Sequence, residues 1–343
     1  MRYPWVNLAL LILLAFQLVT GFLGLINGIP ALAWILQLHQ LGAFAMVLLL
    51  GWKGIIIFDA FKRVRRLSFS RLAFLLLTIF LLIILATGFL WHVMGYAKVW
   101  LFSLMTIHVL VSIGLLGLLL WHTLARRYVF NSPTLQGRRV FIRFVVLTIG
   151  GWLFSNLASV AEAALSLPAV ARRFTGSYEI KNAPGDFPAV TWLLDYPAPI
   201  TRESWQLIVD GTVERPLSLN YDQVAALATD SIVEIIDCTG GWYSTQEWRG
   251  VKLELLLNLA GVKSTAHSIT VEAVSGYGRR FTLDEAQGCL LATQVAGETL
   301  NHGHGFPLRL VAPNHRGFDW VKWVTAIHVN ETSKLLQPPV PLQ

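Results

Sequence analysis

Four histidines stand inside or at the ends of long apolar runs of this sequence: His39, His92, His108 and His122. An ionisable side chain in such a run is costly, so each is a candidate for function. Two imidazoles at similar depth on facing helices can clamp the iron of a haem. His39 lies six or seven residues in from one end of its run, and His108 about nine in from the corresponding end of its own. The pair is therefore expected to hold one haem b. His122 follows His108 by fourteen residues. That is nearly four helical turns, which puts it on the same helix face about 21 Å further along. It is a possible ligand of a second haem, although the residue at matching depth in the other run is Lys53. The alternative is that His122 and Lys53, like His92, sit at a membrane interface, where polar groups cost little. Far downstream stand two cysteines. Cys289, in the run Cys289-Leu290-Leu291-Ala292, reads as a buried small residue not paired with Cys238.

Helices long enough to hold these histidines are easy to find. Five apolar stretches, approximately 5–26, 33–57, 71–94, 99–122 and 140–163, can each cross a hydrocarbon core. Such a core is about 30 Å thick and takes roughly 20 helical residues to span. The chain is 55% hydrophobic and 14% charged, and the charge is uneven. Residues 1–166 carry two acids, Asp59 and Glu162, against thirteen Lys and Arg, a net of +11; the remainder carries eighteen acids against fourteen bases, a net of −4. Arg2, Lys62, Arg63, Arg65, Arg66, Arg71, Arg126, Arg127, Arg138, Arg139 and Arg143 fall on one side of the five stretches, and only Lys98 on the other. The positive-inside rule then makes the N-terminus cytoplasmic and everything after residue 166 extracytoplasmic. Membrane topology accounts for the basic charge, and no nucleic-acid partner is implied. The expected domains are an all-α five-helix transmembrane bundle over 1–166 and a soluble domain over 167–343.

Gly137-Arg138-Arg139-Val140-Phe141-Ile142-Arg143-Phe144 opens the fifth stretch. It resembles the twin-arginine export signal, which moves proteins that fold before transport. Such a signal suits a following domain that acquires its cofactor in the cytoplasm. Paired arginines that merely anchor a helix are the plainer explanation.

In the soluble half, Trp205–Val213, Ser231–Ile236, His267–Val274, Leu308–Val311 and Val321–Val329 read as strands. Helices are expected over 221–228, where Asn220 and Gln223 fit a capping box, and over Lys252–Ala260. The pattern is mixed α+β rather than a regular βαβ repeat. The second of these strands delivers Cys238 to the turn Asp237-Cys238-Thr239-Gly240-Gly241-Trp242, with Trp248-Arg249-Gly250-Val251 downstream. Near the end come His304-Gly305-Phe306-Pro307-Leu308-Arg309 and Val321-Lys322-Trp323-Val324. These motifs, in this order over about 160 residues, resemble the sulfite-oxidase-like molybdopterin domains.

The resemblance implies Mo-molybdopterin as cofactor, with Cys238 as catalytic residue and thiolate ligand of molybdenum, a soft site for that metal. It implies that His304, Arg309 and Lys322 hold the pterin's phosphate and polar edge. Gly305 and Gly317 would let the backbone approach the cofactor. Two positions depart from the sulfite oxidases: Tyr243 stands five residues after the Cys where an arginine is expected, and Thr293 replaces an active-site Tyr. An anionic substrate is therefore not expected. The chain is more similar to bacterial exported members, including the methionine-sulfoxide reductases that work with a separate haem-b membrane partner, here fused. The resemblance and the five apolar stretches together imply a multi-pass protein of the bacterial cytoplasmic membrane that couples a two-electron, oxygen-atom-transfer reaction to the electron-transfer chain. Its expected partners are membrane lipid, a quinone or quinol (or another membrane electron carrier), and a small-molecule or oxidised-side-chain substrate. A reductase is expected, with two alternatives: a dehydrogenase feeding quinone, and a haem-free membrane-anchored binding domain.

Overall fold

The structure is a computed structural model, and it describes residues 4–61, 69–125, 138–192 and 195–341. It divides into two compact units, Met1–Tyr178 and Glu179–Gln343. Residues 167–178 thus go with the first unit. Pro168 packs on Gly95, Trp91 donates its indole N–H to Gly176 O at 2.9 Å, and Tyr178 donates its hydroxyl to Trp91 O at 2.7 Å.

Five helices of the first unit are long and apolar enough to cross a membrane. They are α1 (Pro4–Ile26), α2 (Trp34–Phe61), α3 (Phe69–Met94), α4 (Leu104–Ala125) and α5 (Arg138–Ala164). α1 packs on α2, α2 on α5, and α3 on α4. Small residues let the backbones close up: a Cβ on Gly151 of α5 would lie 2.8 Å from Leu41 O of α2. The fourth helix starts later than its apolar run. Residues 99–103 are not helical, because Lys98–Val99 (β1) and Phe102–Ser103 (β2) form a hairpin whose turn residue Trp100 has φ +55°. The Ser103 hydroxyl then accepts the Thr106 N–H at 3.0 Å and caps α4. Of the expected one-sided basic residues, Arg2, Lys62, Arg63, Arg65, Arg66, Arg126, Arg127 and the Arg71 side chain lie outside the described residues. Arg138, Arg139 and Arg143 form the first turns of α5.

After the short strand Tyr178–Glu179 (β3), the second unit is a two-sheet α+β domain. One sheet is built on β7 (Trp242–Lys252), which pairs antiparallel with β6 (Asp230–Asp237) and β10 (Leu290–Val295). β10 also pairs with β11 (Glu298–Thr299) and β12 (Arg309–Val311). The other sheet runs β5 (Leu217–Asn220), β4 (Gln206–Gly211), β13 (Val324–Asn330), β8 (Ser268–Ala273), β9 (Gly278–Thr282), with only β4 and β13 parallel. The expected capping box at Asn220 and Gln223 starts α6 (Tyr221–Leu227). α7 (Leu253–Ala260) buries Leu253, Leu256, Leu257 and Ala260, the spacing of one helix face, and ends on Gly261 in the left-handed region. α8 (Leu283–Gln287) carries a second capping box, Thr282 with Glu285.

β7 alternates buried and exposed side chains, with Trp242, Ser244, Gln246, Trp248 and Gly250 inward. At Gly250 the partner strand comes so close that a Cβ would sit 2.0 Å from Leu291 O. Gly250→Ala is therefore expected to cost about 1–3 kcal/mol through forced backbone shifts. This should lower the thermal midpoint of the detergent-solubilised protein by about 5 °C or more. At Gly288 a Cβ meets only ordinary contact, 3.7 Å from Glu285 O, and Gly288→Ala is expected to stay within about 2 °C of wild type.

Candidate cofactor sites

The end of β6 delivers Cys238 into a tight turn. Cys238 N–H donates to Trp242 O at 2.8 Å, Gly241 N–H to Cys238 O at 3.0 Å, and Gly241 takes φ +89°, which only glycine adopts freely. Arg316 braces the turn from 79 residues away. Its Nη1 donates to Asp237 Oδ1 at 2.7 Å and its Nη2 to Cys238 O at 3.2 Å, with both charged side chains buried. Gly317 follows so closely that a Cβ there would lie 3.3 Å from Cys238 Cα. Arg316 is not a residue that sequence singles out, because nothing local marks it. Burial pushes the Cys238 thiol up, while the Gly240 N–H at 3.3 Å from Sγ, Arg316 and Lys322 pull it down. Cys289, also free, is buried and pushed up to about 12, chiefly by that burial.

Cys238 opens into a cleft lined also by Trp192, Tyr277, Arg309, Gly317, Trp320 and Lys322. Arg309 donates Nη1 to His304 O at 3.0 Å, and Lys322 donates Nζ to Gly303 O at 2.6 Å and Val190 O at 2.9 Å. Among the described residues neither cation forms an ion pair with a carboxylate. Burial pulls Arg309 down to about 9 and, helped by Arg309, Lys322 to about 7. Arg309 Nε, Trp192 Nε1 and Trp320 Nε1 are buried donors without an acceptor among the described residues. Two cations, of which only Lys322 feels a lining carboxylate, Asp195, and three orphaned donors around a lone thiol fit a bulky anion rich in acceptors that carries a soft metal, as molybdopterin does.

Two residues expected at the pterin, His304 and Gly305, are not among those that line the cleft. His304 takes the Asn301 amide on Nδ1 at 3.2 Å, donates Nε2–H to Phe187 O at 2.8 Å and stacks on the Phe187 ring at 4.0 Å. Its ring nitrogens are spent on the protein, and it shapes the cleft by fixing Arg309 through its carbonyl. Gly305, with φ +107°, fits where a Cβ would meet Lys322 and Arg309 side chains at 3.1 and 3.2 Å, so it lets those two cations flank one turn. Tyr243 lies opposite Asp237 in the β6–β7 pair and Thr293 is buried in β10; neither lines the cleft.

In the first unit, His39 and His108 come together. Their rings stand 6.2 Å apart between centroids at 73°. Two imidazoles brought this close could together hold the iron of a haem. The tautomers fit as well. Thr20 donates its hydroxyl to Phe16 O at 2.8 Å and so accepts from His39 Nδ1 at 3.1 Å. His108 Nδ1 donates to Ile84 O at 3.0 Å, with the Thr87 hydroxyl, itself donated to Ile83 O at 2.8 Å, 3.2 Å from the same nitrogen. Both Nε2 lone pairs are left for a metal, the usual way an outer contact orients a ligating imidazole. Gly21 and Gly88 lie against the two rings. His122 stands near the far end of α4, half-buried, and Lys53 donates to Asn7 Oδ1 at 3.0 Å.

Residues 194–335, which include the cleft, match the family model described as "Oxidoreductase molybdopterin binding domain", as the sulfite-oxidase-like resemblance implies. The chain is similar to the uncharacterized oxidoreductase YuiH of Bacillus subtilis (strain 168), 34% identical over 126 residues, which cover 36% of this chain and 64% of that protein. It is 29% identical over 165 residues to the sulfite oxidase of Arabidopsis thaliana, covering 37% of this chain and 42% of the other. Against the NADH nitrate reductase of Ulva prolifera it is 28% identical over 163 residues, covering 37% and 19%. The chain thus spans less than two thirds of the length of each of these relatives.

Because Lys322 is neutral above about pH 7 and charged below it, an anion in the cleft should bind better at lower pH. The same depressed value means that protonating Lys322 costs the cofactor-free fold stability, fully so below about pH 7 and not at all above the ordinary lysine range. With the cofactor-free protein, sulfate is expected to raise the thermal midpoint about 2–4 °C more at pH 6 than at pH 8.5. Lys322→Met should remove that difference. Equal sulfate effects at both pH values would show that Lys322 does not receive the anion.

Proposed function

We propose that the chain is a membrane-bound molybdenum reductase that takes electrons from a membrane carrier through one haem b and delivers them to an extracytoplasmic oxidised substrate of the sulfoxide type. The observation that carries this reading is the presence, in one chain, of a cationic thiol-bearing cleft and a close histidine pair whose Nδ1 atoms are each hydrogen-bonded within the protein. Five helices long and apolar enough to cross a membrane support the location. Cys238 would ligate molybdenum, and Arg309 and Lys322 would hold the pterin's anionic part. His39 and His108 would hold the haem iron. When bound, molybdopterin supplies two-electron oxygen-atom transfer and haem b one-electron transfer.

The chain's own residues do the rest. Trp192, Trp242, Tyr277, Phe318, Trp320 and Trp323 give the cleft an aromatic lining that accepts a thioether-like group and excludes water. The Asp237–Arg316 pair holds the Cys238 turn rigid against exchange of ligands at the metal. Thr20 and Thr87 fix the imidazole planes.

Purified protein is expected to show the absorption of a low-spin bis-histidine haem. His39→Ala and His108→Ala should each abolish it, and His122→Ala should leave it unchanged. Reduced haem should be reoxidised by dimethyl sulfoxide in wild type and at least about a hundredfold more slowly in Cys238→Ala. Reoxidation at the same rate in that variant would overturn the proposed electron path. Loss of half the iron in His122→Ala would establish a second haem.

A further inference from the structure

Glu162 is the only carboxylate of the first unit whose side chain is described, and it sits in an apolar helix, where an acid is expensive to keep. It is not alone. His92 Nδ1, on α3, lies 2.6 Å from Glu162 Oε1, on α5, and Arg172 Nη1 donates to His92 Nε2 at 3.0 Å. Because Nε2 accepts, the ring proton resides on Nδ1 and points at the carboxylate. A neutral imidazole with a basic nitrogen outward and a carboxylate behind it is the arrangement of a general base, the carboxylate stabilising the imidazolium once a proton arrives.

Its position is informative. Thr87 and Gly88 of α3 touch His108, and His92 lies one helical turn beyond Gly88 on the same face, about 6 Å along the axis. The pair is partly open, with side chains 22% and 14% exposed. Phe89, three residues before His92, and Leu165, three after Glu162, expose 68% and 69% of their surface beside it. An apolar, membrane-facing surface thus borders a proton acceptor one turn from a proposed haem ligand.

We infer that His92 and Glu162 form the site where a lipid-soluble hydroquinone is oxidised. This presupposes the haem held by His39 and His108. A hydroquinone hydroxyl displaces the Arg172 guanidinium and donates its proton to His92 Nε2, giving imidazolium paired with the Glu162 carboxylate. The electrons pass one at a time to ferric haem, which is visited twice. Per turnover, two O–H bonds break, the ring becomes a quinone, two ferric equivalents become ferrous, and two protons leave through the His92–Glu162 pair to water.

The test uses the full chain in detergent, with a decyl-substituted benzoquinol as reductant and stopped-flow detection of haem reduction. Glu162→Gln and His92→Phe are expected to slow reduction by the quinol at least about tenfold, as loss of a general base does. Haem content, the haem spectrum and full reduction by dithionite should stay at wild-type level. Glu162→Asp, which keeps the carboxylate, should recover part of the rate, and it carries the test if Glu162→Gln fails to assemble with haem. Quinol-driven rates unchanged in both His92→Phe and Glu162→Gln, with haem intact, would overturn the site while leaving the haem assignment standing. Absence of haem from wild type would instead overturn the haem assignment.

Discussion

Two cations that form no ion pair among the described residues, the buried Arg309 and the half-buried Lys322, set the terms for the second unit. A charge taken out of water is stable only when something returns the lost solvation. Here the chain returns part of it through backbone carbonyls of residues 190, 303 and 304, and through Asp195, which acts on Lys322 without forming an ion pair with it. Holding three carbonyls at these positions requires the His302–His304 turn, the left-handed Gly305 and the Phe187 ring stacked on His304. The remainder of the neutralisation is left to an anion in the cleft. Arg316 is built differently, because that guanidinium has its carboxylate, Asp237, and serves to brace rather than to bind.

The same rule operates in the first unit with weaker partners. Polar side chains among the apolar helices are satisfied by one another: Lys53 by Asn7, His39 by Thr20, His108 by Thr87, and Glu162 by His92. The α1–α2 and α3–α4 hairpins are built alike. Each first helix carries Thr-Gly-Phe-Leu, at 20–23 and 87–90, and each second helix carries the histidine that the Thr holds. Gly21 leaves room for the His39 ring, where a Cβ would come within 3.0 Å, and the threonine lies within hydrogen-bond reach of Nδ1 in each hairpin, beside the Ile84 carbonyl in the second. The two hairpins thereby bring their histidine rings to 6.2 Å between centroids.

Much of this was legible in the sequence because it is local or periodic. The five apolar runs, the Asn220 capping box, the amphipathic face of α7 and the β-branched strand before Cys238 follow from rules that act over a few residues. The hairpin at 98–103 was not, since Trp100 adopts a backbone region that its type disfavours and the apolar run continues through it. Nor was the full length of β7, whose polar inward residues Ser244 and Gln246 hide the alternation. Cys238, Arg309 and Lys322, from three separate motifs, line one cleft. His304 and Gly305 belong to the same motif as Arg309 but are not among the lining residues, and His304 holds Arg309 through its carbonyl, a contact sequence does not display. Arg316 depends on an ion pair across 79 residues, which no local pattern announces.

The central claim is that one chain carries both a molybdenum centre at Cys238 and a haem between His39 and His108. Elemental analysis of the detergent-purified full-length protein, expressed in a host that makes molybdopterin, addresses it most directly. The account predicts molybdenum and iron each near one per chain, with molybdenum lost and iron kept in Cys238→Ala. Iron without molybdenum in wild type, or molybdenum undiminished in Cys238→Ala, would contradict it.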